Sequence, residues 1–559
     1  MSRARTLVDA LAAVAARFSP ENRRQKLRLL EELRTSTIRR PGSLLRLHET
    51  LCFLQAYPDD PEVLARVDRA LEGFGTHVQR LGPEALARLH DSGIAGTTLD
   101  YPFGFPMTRW LVARFPRDVE VAWGKFKGGD RLDEALAVLV THAEGDAISE
   151  GGLGWREWLR VAKGGRRLTD LQLLVELLER AGFAEETRDW LFESLELPIS
   201  WRLVGASRTH AKLPWPRPFF HREGVRRAGF SFVREVERPL LSIRWAPRPL
   251  AESLIEAARA AVATRLRELH AFSHPNPDDV LVVNPGRGLR IALIGLLPKF
   301  RLPLEGYYAF FVLKNGIPVS YGGGWELFGT LEMGLNIFAS FRQGESSFLF
   351  SQILRAYRQA LGMRTVVLDP YQLGHDNPEA LRSGAFYFYH RLGFRPRDPA
   401  VLRLSEAERA KIARDPSYRS PLPILRRLAS AEIYLTLPGG SPEPEKRLRA
   451  SRVSALVTRH IARDFHGDRR AAVREGTSRV ARALGVPRWR AWPLDERRAF
   501  ERLSLMAALI PNLARWPPSD RRELVRVFRA KGGRSELAYS RLLNGHGRFQ
   551  KGLGEIVVS

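Results

Sequence analysis

Apolar positions recur along this chain with two different periods. Through the first two hundred residues they fall three and four apart, as in SLLRLHETLCFLQAY, PEVLARVDRALEGF, RLDEALAVLVTHAE and LTDLQLLVELLERAG. That spacing predicts a series of helices, each with one buried stripe. Ser19-Pro20 and Asp60-Pro61 each read as a cap followed by a first-turn proline. No fixed repeat length is visible, which gives no support to a solenoid. One segment interrupts the helical pattern: residues 96–106, GTTLDYPFGFP, combine turn formers with aromatics and read as a loop packed into a groove.

After the proline-punctuated connector KLPWPR (212–217) the period changes. A short strand is expected near Leu240 to Trp245, then a helix from Pro249 to His270, then strands in DVLVVN and GLRIALIGLLP. GYYAFFVLKNGIPVSYGGGW, from Gly306 onward, holds two β-rich runs joined at Asn315-Gly316, a dipeptide suited to a tight hairpin turn. A third run, Leu331 to Phe341, partly alternates and ends in the polar loop Arg342-Gln343-Gly344-Glu345-Ser346-Ser347. A helix follows, with Phe348, Leu349, Ile353, Leu354, Tyr357 and Leu361 on one face and Gly362 as its stop. Then come a buried-type strand, Thr365 to Leu368, and a helix capped by Asn377, opened by Pro378 and ended by Gly393. Beyond Pro396 the pattern is helical again. The connector LPGGSPEPE (437–445) precedes RVSALVTRHIARDF, a helix capped by Asp520 with Glu523 three residues on, and the tail SELAYSRLLNGHGRFQKGL, read as a packed helix. The expected organisation is a helical region over 1–211, an α/β domain over 212–436 with its core at 306–396, and a basic helical region over 437–559.

Two features of the middle domain carry chemistry. A loop of Gly344, Ser346 and Ser347 opening a helix turns backbone N–H groups outward, where the helix dipole favours an anion. Phe388-Tyr389-His390-Arg391-Leu392-Gly393-Phe394 closes the last helix of the core with FYHRLGF. This ending, behind a strand, loop, helix and strand, resembles the FYxxxGF of the GNAT superfamily, the acyl-CoA-dependent N-acyltransferases. The similarity covers the ninety-odd residues of 306–396 firmly. It implies an α/β fold with a mixed twisted sheet, acetyl-CoA or another acyl-CoA as co-substrate, and a small-molecule or peptide amine as acceptor. It also implies a donor site at Arg342, Gln343, Gly344, Glu345, Ser346 and Ser347. Tyr389 would be the general acid that protonates the leaving thiolate. Glu332, on the strand beside the acceptor groove, and Asp369, at the end of the next strand, are the candidate bases. The family's loop is Arg/Gln-x-x-Gly-x-Gly/Ala, whereas here Glu345 and Ser347 stand at its two small positions. The glycine-poor loop leaves three readings open. One is an acyl-CoA enzyme. Another is a transferase of the Fem type, which takes aminoacyl groups from tRNA. The third is a non-catalytic scaffold of the same fold, binding protein partners through its helical flanks.

Charge and cysteine use narrow this picture a little. Lys and Arg number 88 against 62 Asp and Glu, a net charge of +26, so anionic partners such as CoA or tRNA are attracted. The basic residues are spread along the whole chain rather than clustered. Cys52, the one cysteine, sits in a helical apolar run and has no partner for an internal disulfide, which suits a reducing, cytoplasmic setting. No apolar run is long enough for a membrane span. His270 and His274 lie four apart with Asp278 and Asp279 close behind, but Pro275 and Pro277 end the helix there and no metal is expected.

Overall fold

The structure, a computed structural model, describes residues 3–150, 152–204, 211–222, 224–226, 229–440 and 447–558. Residues 441–446 of the connector read at 437–445 thus lie outside the described residues. The chain divides into two compact units. One comprises Met1–Val225, Ser253–Ser273 and Lys314–Pro318; the other comprises Arg226–Glu252, His274–Leu313 and Val319–Ser559. Among the described residues, no helix is long and apolar enough to cross a membrane.

The first unit is helical at its start. Ser19 Oγ accepts the Asn22 N–H (3.1 Å) and Asp60 Oδ1 accepts the Val63 N–H (2.9 Å), so both proline-opened helices are capped as the sequence indicates. Cys52 is buried in the helix Pro41–Ala56. The expectation of a purely helical amino-terminal region is corrected by a three-stranded sheet of order β1-β3-β2: β1 Thr98–Tyr101, β2 Val119–Val121 and β3 Ile199–Arg202. The stretch read as a groove-filling loop supplies β1, with Leu99 opposite Trp201. Only the aromatics after it pack inward, Phe103 and Phe105 being buried.

The second unit is built on a nine-stranded sheet, order β11-β12-β10-β9-β8-β7-β6-β5-β4. The strands are β4 Ser242–Trp245, β5 Pro275–Gly286, β6 Leu289–Leu296, β7 Gly306–Lys314, β8 Ile317–Leu327, β9 Thr330–Ile337, β10 Thr365–Leu368, β11 Arg395–Pro396 and β12 Ile433–Thr436. β4 runs antiparallel to β5, β5 to β6, β8 to β9, and β12 to both β10 and β11; β10 runs parallel to β9. Every residue of β7 is buried, which explains its unbroken apolar run in place of alternation. The β7–β8 turn has φ of 51° at Asn315 and 83° at Gly316, the two positive values that an Asn-Gly hairpin turn requires.

Past β10 the sequence reading needs one correction. The predicted single helix from Pro378 is two, Pro378–Ser383 and Ala385–Arg391, divided at Gly384 with φ of 69°. Asn377 caps the first as expected, its Oδ1 accepting the Ala380 N–H at 3.2 Å. Gly384 ends that helix in the left-handed region, and the second begins at Ala385.

Among the described residues, six α-helices complete the unit, beginning with Ala450–Asp464. One of them, Pro518–Lys531, opens two residues ahead of Asp520, which pairs with Arg548 (2.5 Å) instead of capping. The junction of these helices with the sheet is polar and buried. The Tyr308 hydroxyl donates to Asp279 (2.6 Å), Arg301 reaches the Lys531 and Gly533 carbonyls (2.8 and 2.7 Å), and Lys531 is paired with Glu536. Asp279 is thereby committed to the core. No three His, Cys, Asp or Glu side chains converge as a metal set among the described residues.

Candidate functional site

β9 is paired with β8 along its whole length, from Thr330 opposite Leu327 to Ile337 opposite Ser320. With β10 it pairs only through its first three residues, Thr330, Leu331 and Glu332. Beyond Glu332 the two parallel strands part, at the carboxyl end where open α/β sheets place their ligands. The edge of β9 exposed by this parting is met by side chains instead of a strand. Gln372 Oε1 accepts the Leu335 N–H at 3.2 Å, doing for one position what a neighbouring strand would do. Gln372 is placed by the short helix Pro370–Leu373, whose cap is Asp369; Asp369 Oδ1 accepts the Tyr371 N–H at 2.8 Å.

The parting opens a cavity of about 760 Å³. Its first wall is the end of β9, Leu335 to Ile337. Its second is the loop and first turn of the helix Ser346–Leu361, contributing Arg342, Gln343, Gly344, Ser346 and Ser347. Its third is the pair of helices around Gly384, contributing Glu379, Phe388, Tyr389 and Arg391 among others. Among the described residues no side chain caps the Ser346–Leu361 helix at its N-cap, so its first N–H groups are not satisfied by such a cap at the cavity wall. The Ser346 hydroxyl turns back to the Arg342 carbonyl (2.9 Å). Arg342 also binds the Ile337 carbonyl (3.0 Å) and pairs with Glu379 (2.8 Å), tying the loop to two of the walls.

The structure therefore brings Arg342, Gln343, Gly344, Ser346, Ser347 and Tyr389 to one cavity, and holds the other three candidates elsewhere. Glu345 is fully buried and does not line the cavity. Its carboxylate accepts the Arg226 N–H at 2.8 Å and the Arg287 guanidinium at 3.2 Å. The charge that the sequence sets in the middle of the loop is thus neutralised on the far side of it. Glu332 is paired with Arg447, which also holds Glu432 at 2.8 Å. Asp369 is the helix cap already described. Neither carboxylate lines the cavity. The residues that sequence reasoning missed are Gln372 and Glu379, and no local signal marks either, because both act across gaps in sequence.

Tyr389 is the lining residue whose chemistry is set most clearly by its surroundings. Its ring is buried, edge-on to Phe350 (centroids 5.6 Å apart) and against Phe388 and Phe394. Burial raises its pKa above that of an ordinary phenol, so it stays a neutral O–H donor through the physiological range. His390 beside it in sequence is driven the other way, down to about 4, by burial and by Arg395 and Arg409, and remains uncharged at neutral pH.

No protein-family model, no curated protein and no solved structure matches this chain.

Proposed function

We propose that the chain is a GNAT-like N-acyltransferase, moving an acyl group from an acyl-CoA, or from a similarly activated donor, to an amine. The observation that carries this reading is that one cavity, opened where β9 leaves β10, is lined by both an uncapped helix N-terminus and the Tyr389 side chain. The residues present suit such a donor. The first-turn N–H groups at Ser346 and Ser347 face a diphosphate with Arg342 nearby. The obstacle posed by Glu345 is removed because its carboxylate faces Arg287. The cavity volume accommodates an extended arm along the free edge of β9.

In this account the acceptor nitrogen attacks the thioester carbonyl carbon, and the carbon–sulfur bond breaks as the tetrahedral centre collapses. The Tyr389 O–H gives its proton to the departing sulfur. The proton shed by the acceptor nitrogen, passed through water, restores the phenol. Tyr389 suits this role because burial keeps its O–H protonated at neutral pH, so a donor is in place as negative charge develops on the departing sulfur. Neither Glu332 nor Asp369 is needed as a base if the acceptor enters as the free amine.

The test is thiol release from acetyl-CoA and longer acyl-CoAs against a panel of polyamines, amino acids and amino-terminal peptides. Tyr389→Phe keeps the ring packing and removes only the donor, so kcat should fall about 100-fold with the donor KM unchanged. Equal turnover in the variant, or no acceptor-dependent release with any pair, would overturn the reading.

A further inference from the structure

The carboxy-terminal helices hold a second cavity, of about 390 Å³, lined only by residues between 469 and 501. The helix Arg469–Leu484 contributes Arg469, Arg470, Arg474 and Thr477, and Arg490 and Glu501 come from the segments that follow. Arg470, Arg474 and Thr477 stand four and three apart, on one face of that helix. Its first turn carries no acidic residue but two arginines, at the end where the helix dipole favours negative charge. Asp468 caps the turn, its Oδ1 accepting the Ala471 N–H at 2.9 Å.

The partners these groups have are few. Among the described residues, Arg469 touches only a carbonyl, that of Gly467 at 3.2 Å, and Arg474 approaches only the exposed Glu475, at 3.8 Å. Arg490 lies over the Trp489 ring, 4.8 Å from its centroid. Among the described residues, Arg470 has no hydrogen bond or ion pair, and Glu501 is not paired with any of these arginines. Thr477 adds an independent sign. Its side chain is 1% exposed and its hydroxyl has no hydrogen-bond partner, although a helical threonine can normally return its proton to the carbonyl one turn back. A buried hydroxyl without a partner, in a cavity lined by four arginines and one carboxylate, Glu501, describes half of an anion site.

We infer that this cavity binds a phosphate group, with Arg470, Arg474 and Arg490 on its oxygens and the Thr477 hydroxyl as a further donor. Planar guanidinium forks match phosphate oxygens in pairs, and several of them around one concavity select a doubly charged tetrahedral anion over chloride. The cavity is larger than a phosphate alone, and Glu501 offers an acceptor beside the arginines, where an attached sugar hydroxyl would donate. The ligand class is therefore a phosphate ester, either a small sugar phosphate or one unit of a nucleic-acid backbone.

Calorimetric titration of the full chain at constant ionic strength, with inorganic phosphate, ribose 5-phosphate and a short single-stranded RNA as probes, tests this directly. We expect saturable binding that weakens about tenfold or more in Arg470→Ala/Arg474→Ala and severalfold in Thr477→Val. The two arginines are exposed and hold no fold contact, so the unliganded melting temperature should not move, and Arg490→Ala gives a second, independent loss. Preference for ribose 5-phosphate would assign a small ester; binding of RNA alone would assign the backbone. Failure of all three probes, or equal affinity in the double variant, overturns the inference.

Discussion

At the scale of the residue, burial decides what each titratable group can do. Tyr389 and Glu326 show the same effect in two places: both lose water, and both hold their protons more tightly. Glu326, fully buried at the end of β8, accepts the Gly329 N–H at 2.7 Å through one oxygen, while the other has no partner. Burial pushes its carboxyl from 4.5 up to about 7. The folded chain thus keeps this proton to about pH 7, whereas the unfolded chain releases it near 4.5. The stabilisation is complete below that lower value and is lost as pH rises through the upper one, a span worth about 3 kcal/mol. Denaturant unfolding at about pH 5 and about pH 7.5 should show this loss in the natural chain and a flatter response in Glu326→Gln. An unchanged slope in the variant would remove Glu326 as its source.

At the scale of the element, the sheet beneath the candidate site depends on glycine and aromatic rings that fill each other's space. A β-carbon at Gly322 would stand 2.0 Å from the Gly334 carbonyl and 2.5 Å from the Phe310 ring; one at Gly323 would stand 2.3 Å from the Tyr307 hydroxyl. The Gly334 contact matters most, because it is backbone of β9 and can be relieved only by shifting the strand itself. Gly322→Ala should therefore destabilise by about 2–3 kcal/mol and push β9 away from β8, seen as a lowered melting temperature. Gly329→Ala is the contrasting case, strained by its φ of 79° but open in space. Equal stability in Gly322→Ala and the natural chain would contradict the packing described here.

The same scale shows what was legible in the sequence. The Asn315-Gly316 hairpin, the Ser346–Leu361 helix with its Gly362 stop and the strand at Thr365 to Leu368 all rest on signals a few residues apart, and they stand where they were expected. β1 did not read as a strand, because its partner β3 lies about a hundred residues later and only that pairing makes the segment extended. The break at Gly384 hid inside a helical pattern that tolerates a single glycine. Within the candidate site, the loop and Tyr389 were visible as local motifs. The direction of the Glu345 carboxylate was not, since Arg287, 58 residues earlier, sets it. Gln372 was invisible for the same reason: its partner Leu335 belongs to a strand 37 residues before it.

At the scale of the whole molecule, the net charge of +26 attracts anions, and both ligands proposed above are anionic. Charge alone does not choose between them, because a field of this size draws any anion and fades with salt. What distinguishes the larger cavity is its conjunction of an uncapped helix N-terminus with a buried phenol. The most direct measurement is the thermal midpoint of the purified chain against acetyl-CoA concentration at fixed ionic strength, alongside Ser347→Trp, which fills the cavity wall. A donor bound only by the folded state stabilises it by about 2.7 kcal/mol at a hundredfold excess over its Kd. The account predicts a saturable rise in the natural chain that disappears in Ser347→Trp. No rise at millimolar acetyl-CoA, or the same rise in the variant, would contradict it.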